Sequence, residues 1–171
     1  MAHEKGFALW LIGIILASFA LVSAIGSPII GEKLEKIGRR CAYTLSGFLT
    51  GLGVLSWAIL PYLDGDIFLV ASFVGRMLQG LGTTFTLVAG FSIAASEYGG
   101  DDEAAMANMA LVLSQMETAG SLGLICGPLL GAGLYYVSGF TITYIVYSGF
   151  FFLSIPVFFY ILGPDRPYVN E

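Results

Sequence analysis

The sequence predicts an all-α membrane protein, a single transmembrane domain of five spanning helices over residues 1–171. Three observations predict it. Of its 171 residues 57% are hydrophobic and only 11% charged, where soluble domains carry about a quarter charged. The mean hydropathy is +0.85. The apolar residues form continuous runs, each of the roughly 20 residues that a helix needs to cross the hydrocarbon core, or more. Lipid admits only helices and closed barrels, and barrel strands would read as segments of about ten residues with alternating hydrophobicity.

The first run, Phe7 to Ile30, follows Met1 to Lys5 and contains Val22-Ser23-Ala24, the outline of a signal peptide. It continues past that cleavage site for about 24 residues in all, too long for a signal core and right for a span. The charged stretch Gly31 to Arg40 separates it from the second span, Cys41 to Pro61. After the turn Tyr62 to Asp66 comes the third, Ile67 to Ala95, closed by the acidic loop Glu97 to Glu103. The fourth, Ala107 to Val137, and the fifth, Phe140 to Leu162, meet at the Ser138-Gly139 turn, and a tail runs from Gly163 to Glu171. Trp10, Trp57, Tyr62, Tyr136 and Tyr168 near span ends suit the membrane interface.

Lys33, Lys36, Arg39 and Arg40 share one short loop, which the positive-inside rule places in the cytosol. The N-terminus, the Asp64/Asp66 turn and the Ser138-Gly139 turn then face the lumen or exterior. The acidic loop and the tail with Arg166 face the cytosol. An odd number of spans with an external N-terminus is what remains when a bundle starting in the cytosol loses its first helix. A net charge of -5 and no basic face exclude nucleic acid. His3 and the isolated Cys41 and Cys126 build no metal site or nucleophile, and no phosphate loop is present, so neither a cofactor nor an enzyme is expected.

Two ionisable residues lie deep within spans, Arg76 and Glu117, and each costs several kcal/mol if it faces lipid. At about 100° per residue, Arg76 shares a face with Gln79, Gly80, Thr83 and Gly90, opposite Leu78, Leu81, Phe85 and Val88. Arg76 is either a clamp on neighbouring carbonyls or the lining of a substrate or proton pathway. Glu117 lies about ten residues, roughly 15 Å, inside its span. It is either a carboxyl that gains and loses a proton as a cavity opens, or a permanently protonated one bonded across helices. Counted from opposite membrane faces, the two differ in depth by roughly 15 Å, which argues against a direct pair.

Gly123, Gly127 and Gly131 recur every fourth residue, with Pro128 after Gly127, exposing bare backbone for close helix approach and bending the span. Gly47 and Gly51 in the second span, and Gly80 and Gly82 in the third, have the same packing character.

These residues resemble a family. Gly31-Glu32-Lys33-Leu34-Glu35-Lys36-Ile37-Gly38-Arg39-Arg40 resembles the loop after the second helix of the major facilitator superfamily, G-x-x-x-D-x-x-G-R-R/K, with Glu35 in place of Asp. Arg76-Met77-Leu78-Gln79-Gly80-Leu81-Gly82-Thr83 resembles its fourth-helix R-x-x-Q-G-x-G-A element. Gly123 to Ala132 resembles the fifth-helix G-x-x-x-G-P-x-x-G-G element of proton-coupled antiporters. Glu117-Thr118, Leu122 to Ile125, Gly127-Pro128, Gly131 and Leu134-Tyr135 look most like the vesicular amine and polyamine transporters of solute carrier family 18.

The resemblance maps the five spans onto helices two to six of a twelve-helix carrier, an incomplete N-terminal six-helix bundle. It implies a cytosolic gate of Gly31, Glu35, Gly38, Arg39 and Arg40, in which the Glu35 carboxylate bonds the arginines and must release them as the halves rock. It implies a substrate and proton pathway at Arg76, Gln79 and Glu117, and bends and packing at Gly80, Gly82, Gly123, Gly127, Pro128 and Gly131. The implied function is proton-coupled antiport of small organic solutes, organic cations such as amines or polyamines, by alternating access. The implied partners are the lipid bilayer, the solute and protons, and the missing first helix and C-terminal half. The implied place is a vesicular, lysosomal or plasma membrane. The alternative is a non-transporting membrane subunit or regulator that docks a partner through its glycine faces.

Overall fold

A computed structural model describes residues 7–100 and 102–162. Four α-helices follow one another: α1 (Leu9–Ile37), α2 (Arg39–Ile59), α3 (Gly65–Tyr98) and α4 (Glu103–Ile161), with a 3-10 turn at Leu60–Tyr62. All four are long and apolar enough to cross a membrane. His3, Arg166, Tyr168 and the Gly163 to Glu171 tail lie outside the described residues.

The charged stretch expected as a loop is mostly helix. α1 continues to Ile37, α2 begins at Arg39, and only Gly38 leaves the helical region, at φ 81° and ψ 144°. Glu and Lys are strong helix formers, and Glu32 and Lys36 stand at the favourable i, i+4 spacing, so nothing in these side chains stops the helix once it emerges into water. The break needs the one residue that tolerates this backbone.

The expected fourth and fifth spans belong to one 59-residue element, α4. Straight, it would be about 88 Å long, nearly three times the hydrocarbon thickness. Gly139 interrupts it with non-helical φ 77° and ψ 179°. The Tyr147 hydroxyl donates to the Gly127 carbonyl at 3.3 Å, a pair that a straight helix would hold about 30 Å apart. Residues 103–138 and 140–161 therefore fold back on one another.

The helices pack in the order α1, α3, α2, α4. α3 lies between α1 and α2, so the apolar stripe opposite Arg76 is covered: Leu81 touches Gly26, and Phe85 and Val88 join Ile30, Leu34, Ala42 and Ala89 in the core. Small residues set the spacing. A β-carbon on Gly80 would stand 2.7 Å from the Phe19 carbonyl oxygen, and one on Gly53 would stand 2.7 Å from that of Gly75. Gly82 abuts Thr50, Gly47 abuts Ile155, and Gly51 lies under the Phe152 ring.

Polar side chains bond across these close approaches. Ser23 donates to the Gly80 carbonyl at 3.2 Å and bonds the Thr84 hydroxyl at 2.8 Å, joining α1 to α3. Ser46 and Thr86 join α2 to α3, and Ser148 donates to the Gly51 carbonyl at 2.9 Å, joining α4 to α2. With no hydrophobic drive between helices in lipid, packing and such bonds hold a bundle together. The expected close packing along Gly123, Gly127 and Gly131 is realised only in part. Tyr147 covers Gly131, whereas the space a β-carbon would enter at Gly123 is open.

Candidate functional site: a cationic cavity among the helices

Arg76 lies eleven residues beyond the start of α3 at Gly65, about 16 Å along the helix axis and so near the middle of a bilayer. The i, i+3 spacing places Gln79 on the same face, and the Arg76 Nη1 donates to Gln79 Oε1 at 3.2 Å. The guanidinium lies 4.4 Å from the centre of the Trp57 ring on α2. Trp57 stacks on Tyr144 of α4 at 5.9 Å, and Tyr144 meets Phe140 at 4.7 Å. One cation thus ends a train of aromatic rings, held by hydrogen bonding on one side and a π face on the other.

Glycine lets α2 come this near. A β-carbon on Gly75 would collide with the Ser56 hydroxyl and stand 3.1 Å from Trp57 Nε1. Beside the pair lies a cavity of about 180 Å³ lined by residues of all four helices, among them Ile15, Trp57, Ser72, Arg76 and Phe140. Arg76 Nε and Trp57 Nε1 are buried with no hydrogen-bond partner among the described residues. The site therefore holds a fixed positive charge, two uncommitted donors and aromatic walls in an otherwise apolar setting.

Trp57, expected as an interfacial anchor, is half-buried in this site instead. No feature of the sequence tied Trp57, Tyr144 or Gly75 to Arg76, because nothing local links the end of one span to the middle of another. The only available signal was the aromatic content of the flanking spans. Trp10, Tyr62 and Tyr136 are exposed, as interfacial residues would be.

Glu117 is elsewhere. It is exposed on α4, next to Met116, whose methyl group lies against Gly90, as does the Tyr43 hydroxyl. Gly90 is fourteen residues beyond Arg76 on α3, roughly 21 Å by helical rise, so the structure brings Arg76 and Gln79 together and leaves Glu117 apart. Pro128 is also exposed on α4.

At the opposite end of the bundle the two arginines after Gly38 reach different helices. The Arg39 Nη1 donates to the Ser96 hydroxyl near the end of α3 at 2.6 Å. The Arg40 Nη2 donates to the Phe159 carbonyl of α4 at 2.6 Å, with its guanidinium 3.4 Å from the Phe159 ring centre. A cation at the carbonyl end of a helix is favoured by the helix dipole. Glu35 is exposed, as is Gly31, and among the described residues no bond joins Glu35 to Arg39 or Arg40. The two arginines therefore tie α2 to α3 and α4, and the expected carboxylate contact is not made.

The family model of the Major Facilitator Superfamily matches residues 1–171. The human MFS-type transporter SLC18B1 is 30% identical over 162 residues, 94% of this chain and 34% of that protein. The mouse synaptic vesicular amine transporter is 28% identical over 155 residues, 91% of this chain and 28% of its own length. The vesicular acetylcholine transporter of Tetronarce californica is 27% identical over 137 residues, 80% of this chain and 24% of its own. The chain thus spans about a third or less of each of these relatives. No solved structure matches.

Proposed function

The chain belongs to the major facilitator superfamily, and on that premise we propose that it forms part of a proton-coupled secondary antiporter of small organic solutes, with organic cations such as amines or polyamines as substrates. The relatives it matches are named as transporters, two of them for amine or acetylcholine transport. In this reading the chain catalyses no chemical reaction. Residues 103–138 and 140–161 are separate spans, which makes five, and the protein is a multi-pass component of a vesicular, lysosomal or plasma membrane.

The observation that carries the proposal is Arg76 at mid-membrane beside a cavity shared by all four helices. An intramembrane cation is costly and is retained for function by default. In a medium of low dielectric constant it favours ionisation of a carboxyl group that approaches it and opposes a second free cation. Substrate and proton occupancy are thereby linked as the bundle rocks between two states. Gln79 fixes the guanidinium, Glu117 is the proton carrier, and Gly38, Arg39 and Arg40 hold the cytosolic ends of α2, α3 and α4 until that face opens.

The test is uptake of a radiolabelled amine into proteoliposomes that hold the full-length carrier under an imposed pH gradient. Arg76→Ala is expected to abolish gradient-driven uptake while protein abundance is unchanged; undiminished uptake overturns the cavity role. A second reading, a non-transporting subunit or regulator, is favoured by the open space at Gly120, Gly123 and Gly133 of α4. Under it the chain co-purifies with a stoichiometric unrelated membrane partner and drives no uptake.

A further inference from the structure

The last turn of α3 carries Ser96, whose side chain is exposed two residues before the helix ends at Tyr98. Its hydroxyl donates to the Ile93 carbonyl at 3.0 Å and accepts from the Arg39 guanidinium of α2 at 2.6 Å. A guanidinium suits two oxygens side by side, as a carboxylate or phosphate presents them, and the hydroxyl offers it one neutral oxygen. We propose that Ser96 is a phosphorylation site, and that its phosphate clamps α2 to α3 through Arg39.

Placement and chemistry support the site. The positive-inside rule that assigns Lys33, Lys36, Arg39 and Arg40 to the cytosol assigns this end of α3 to the same side, where nucleoside triphosphates and protein kinases are found. After Ser96 the chain reads Glu97-Tyr98-Gly99-Gly100-Asp101-Asp102-Glu103, four acidic residues and no basic one, which complements the basic groove of an acid-directed kinase. Gly99 has already left the helix, at φ −71° and ψ 139°, and a final helical turn frays readily, so an extended substrate segment forms here at low cost. In the transfer the Ser96 oxygen attacks the γ-phosphorus of the nucleoside triphosphate, the bond to the nucleoside diphosphate breaks, and the serine proton passes to the kinase's base.

The new phosphate carries about −1.5 to −2 charge. The carbonyl end of α3 and Glu97 repel it, while α2, which starts at Arg39 with no side chain capping its first turn, presents its positive end. The two helix ends oppose each other with similar partial charges, so the direct ion pair with Arg39 decides the sign. Phosphate at Ser96 therefore stabilises the protein with Arg39 present and destabilises it without.

The test uses the full-length carrier in nanodiscs, treated with a purified acid-directed serine kinase and ATP. Phosphate is expected by mass spectrometry on the peptide that holds Ser96, and at no corresponding position in Ser96→Ala. The phosphorylated carrier is expected to melt about 2 °C or more above the untreated one, and phosphorylated Arg39→Gln below its own untreated form. No phosphate at Ser96, or melting shifts of the same sign in both backgrounds, overturns the proposal. A regulatory role rests on the transport reading: the clamp opposes opening of the cytosolic face, so phosphorylation is expected to lower gradient-driven amine uptake roughly fivefold or more. Equal uptake by the two forms overturns that role. No uptake by either counts against the transport reading alone, because phosphate mapping and melting need no substrate.

Discussion

At the scale of single residues, the environment of Arg76 makes it hard to replace. Its planar guanidinium bonds Gln79 and lies over the Trp57 ring at once, a combination that a lysine ammonium reproduces poorly. Arg76→Lys is therefore expected to retain charge yet lose most gradient-driven uptake, at least tenfold, measured beside Arg76→Ala in the same proteoliposomes. Trp57→Leu removes the π face and is expected to lower the melting temperature in detergent, by the equivalent of about 0.5–2 kcal/mol. An unchanged melting temperature would mean that the stack contributes nothing. The sequence made Arg76 and Gln79 legible, since a charged residue in a long apolar run stands out and a three-residue step sets the face. Trp57 and Tyr144 were not legible, because their contact with this site joins positions far apart in the chain.

Elements are governed here by glycines of two kinds. Gly38 and Gly139 hold backbone angles that side-chain-bearing residues rarely adopt. Gly38→Ala and Gly139→Ala should each destabilise the protein by about 1–3 kcal/mol. Gly80 has ordinary helical geometry but no room, with the Phe19 carbonyl oxygen 2.7 Å from where a β-carbon would stand. Gly80→Ala should cost about 1–3 kcal/mol by forcing α1 from α3. Gly13 has nothing within 4 Å of that position, and Gly13→Ala should be neutral or stabilising by about 0.5–1 kcal/mol. Thermal unfolding of the four variants in one detergent separates these cases; equal melting temperatures would refute the distinction.

For the whole molecule, charge distribution sets orientation and packing sets what each face meets. The cluster Lys33, Lys36, Arg39 and Arg40 predicts that the α1–α2 junction is cytosolic and the Asp64/Asp66 turn is on the other side. Cysteines at Lys36 and Asp66, in a background with Cys41 and Cys126 replaced, should be labelled by an impermeant reagent from opposite sides. Labelling of both from one side would reverse or break the topology. Composition alone was enough for the membrane environment and the all-helical class, because a chain with 11% charged residues has too little polar surface for water. Hydropathy also located the helices, since span length is dictated by bilayer thickness. Three features depended on tertiary structure: the order α1, α3, α2, α4, the arginines reaching Ser96 and Phe159 instead of Glu35, and the Trp57 and Tyr144 wall beside Arg76. Each depends on which helix lies beside which, and in lipid that choice rests on close backbone approach and a few cross-helix bonds, which leave no periodic trace in the sequence.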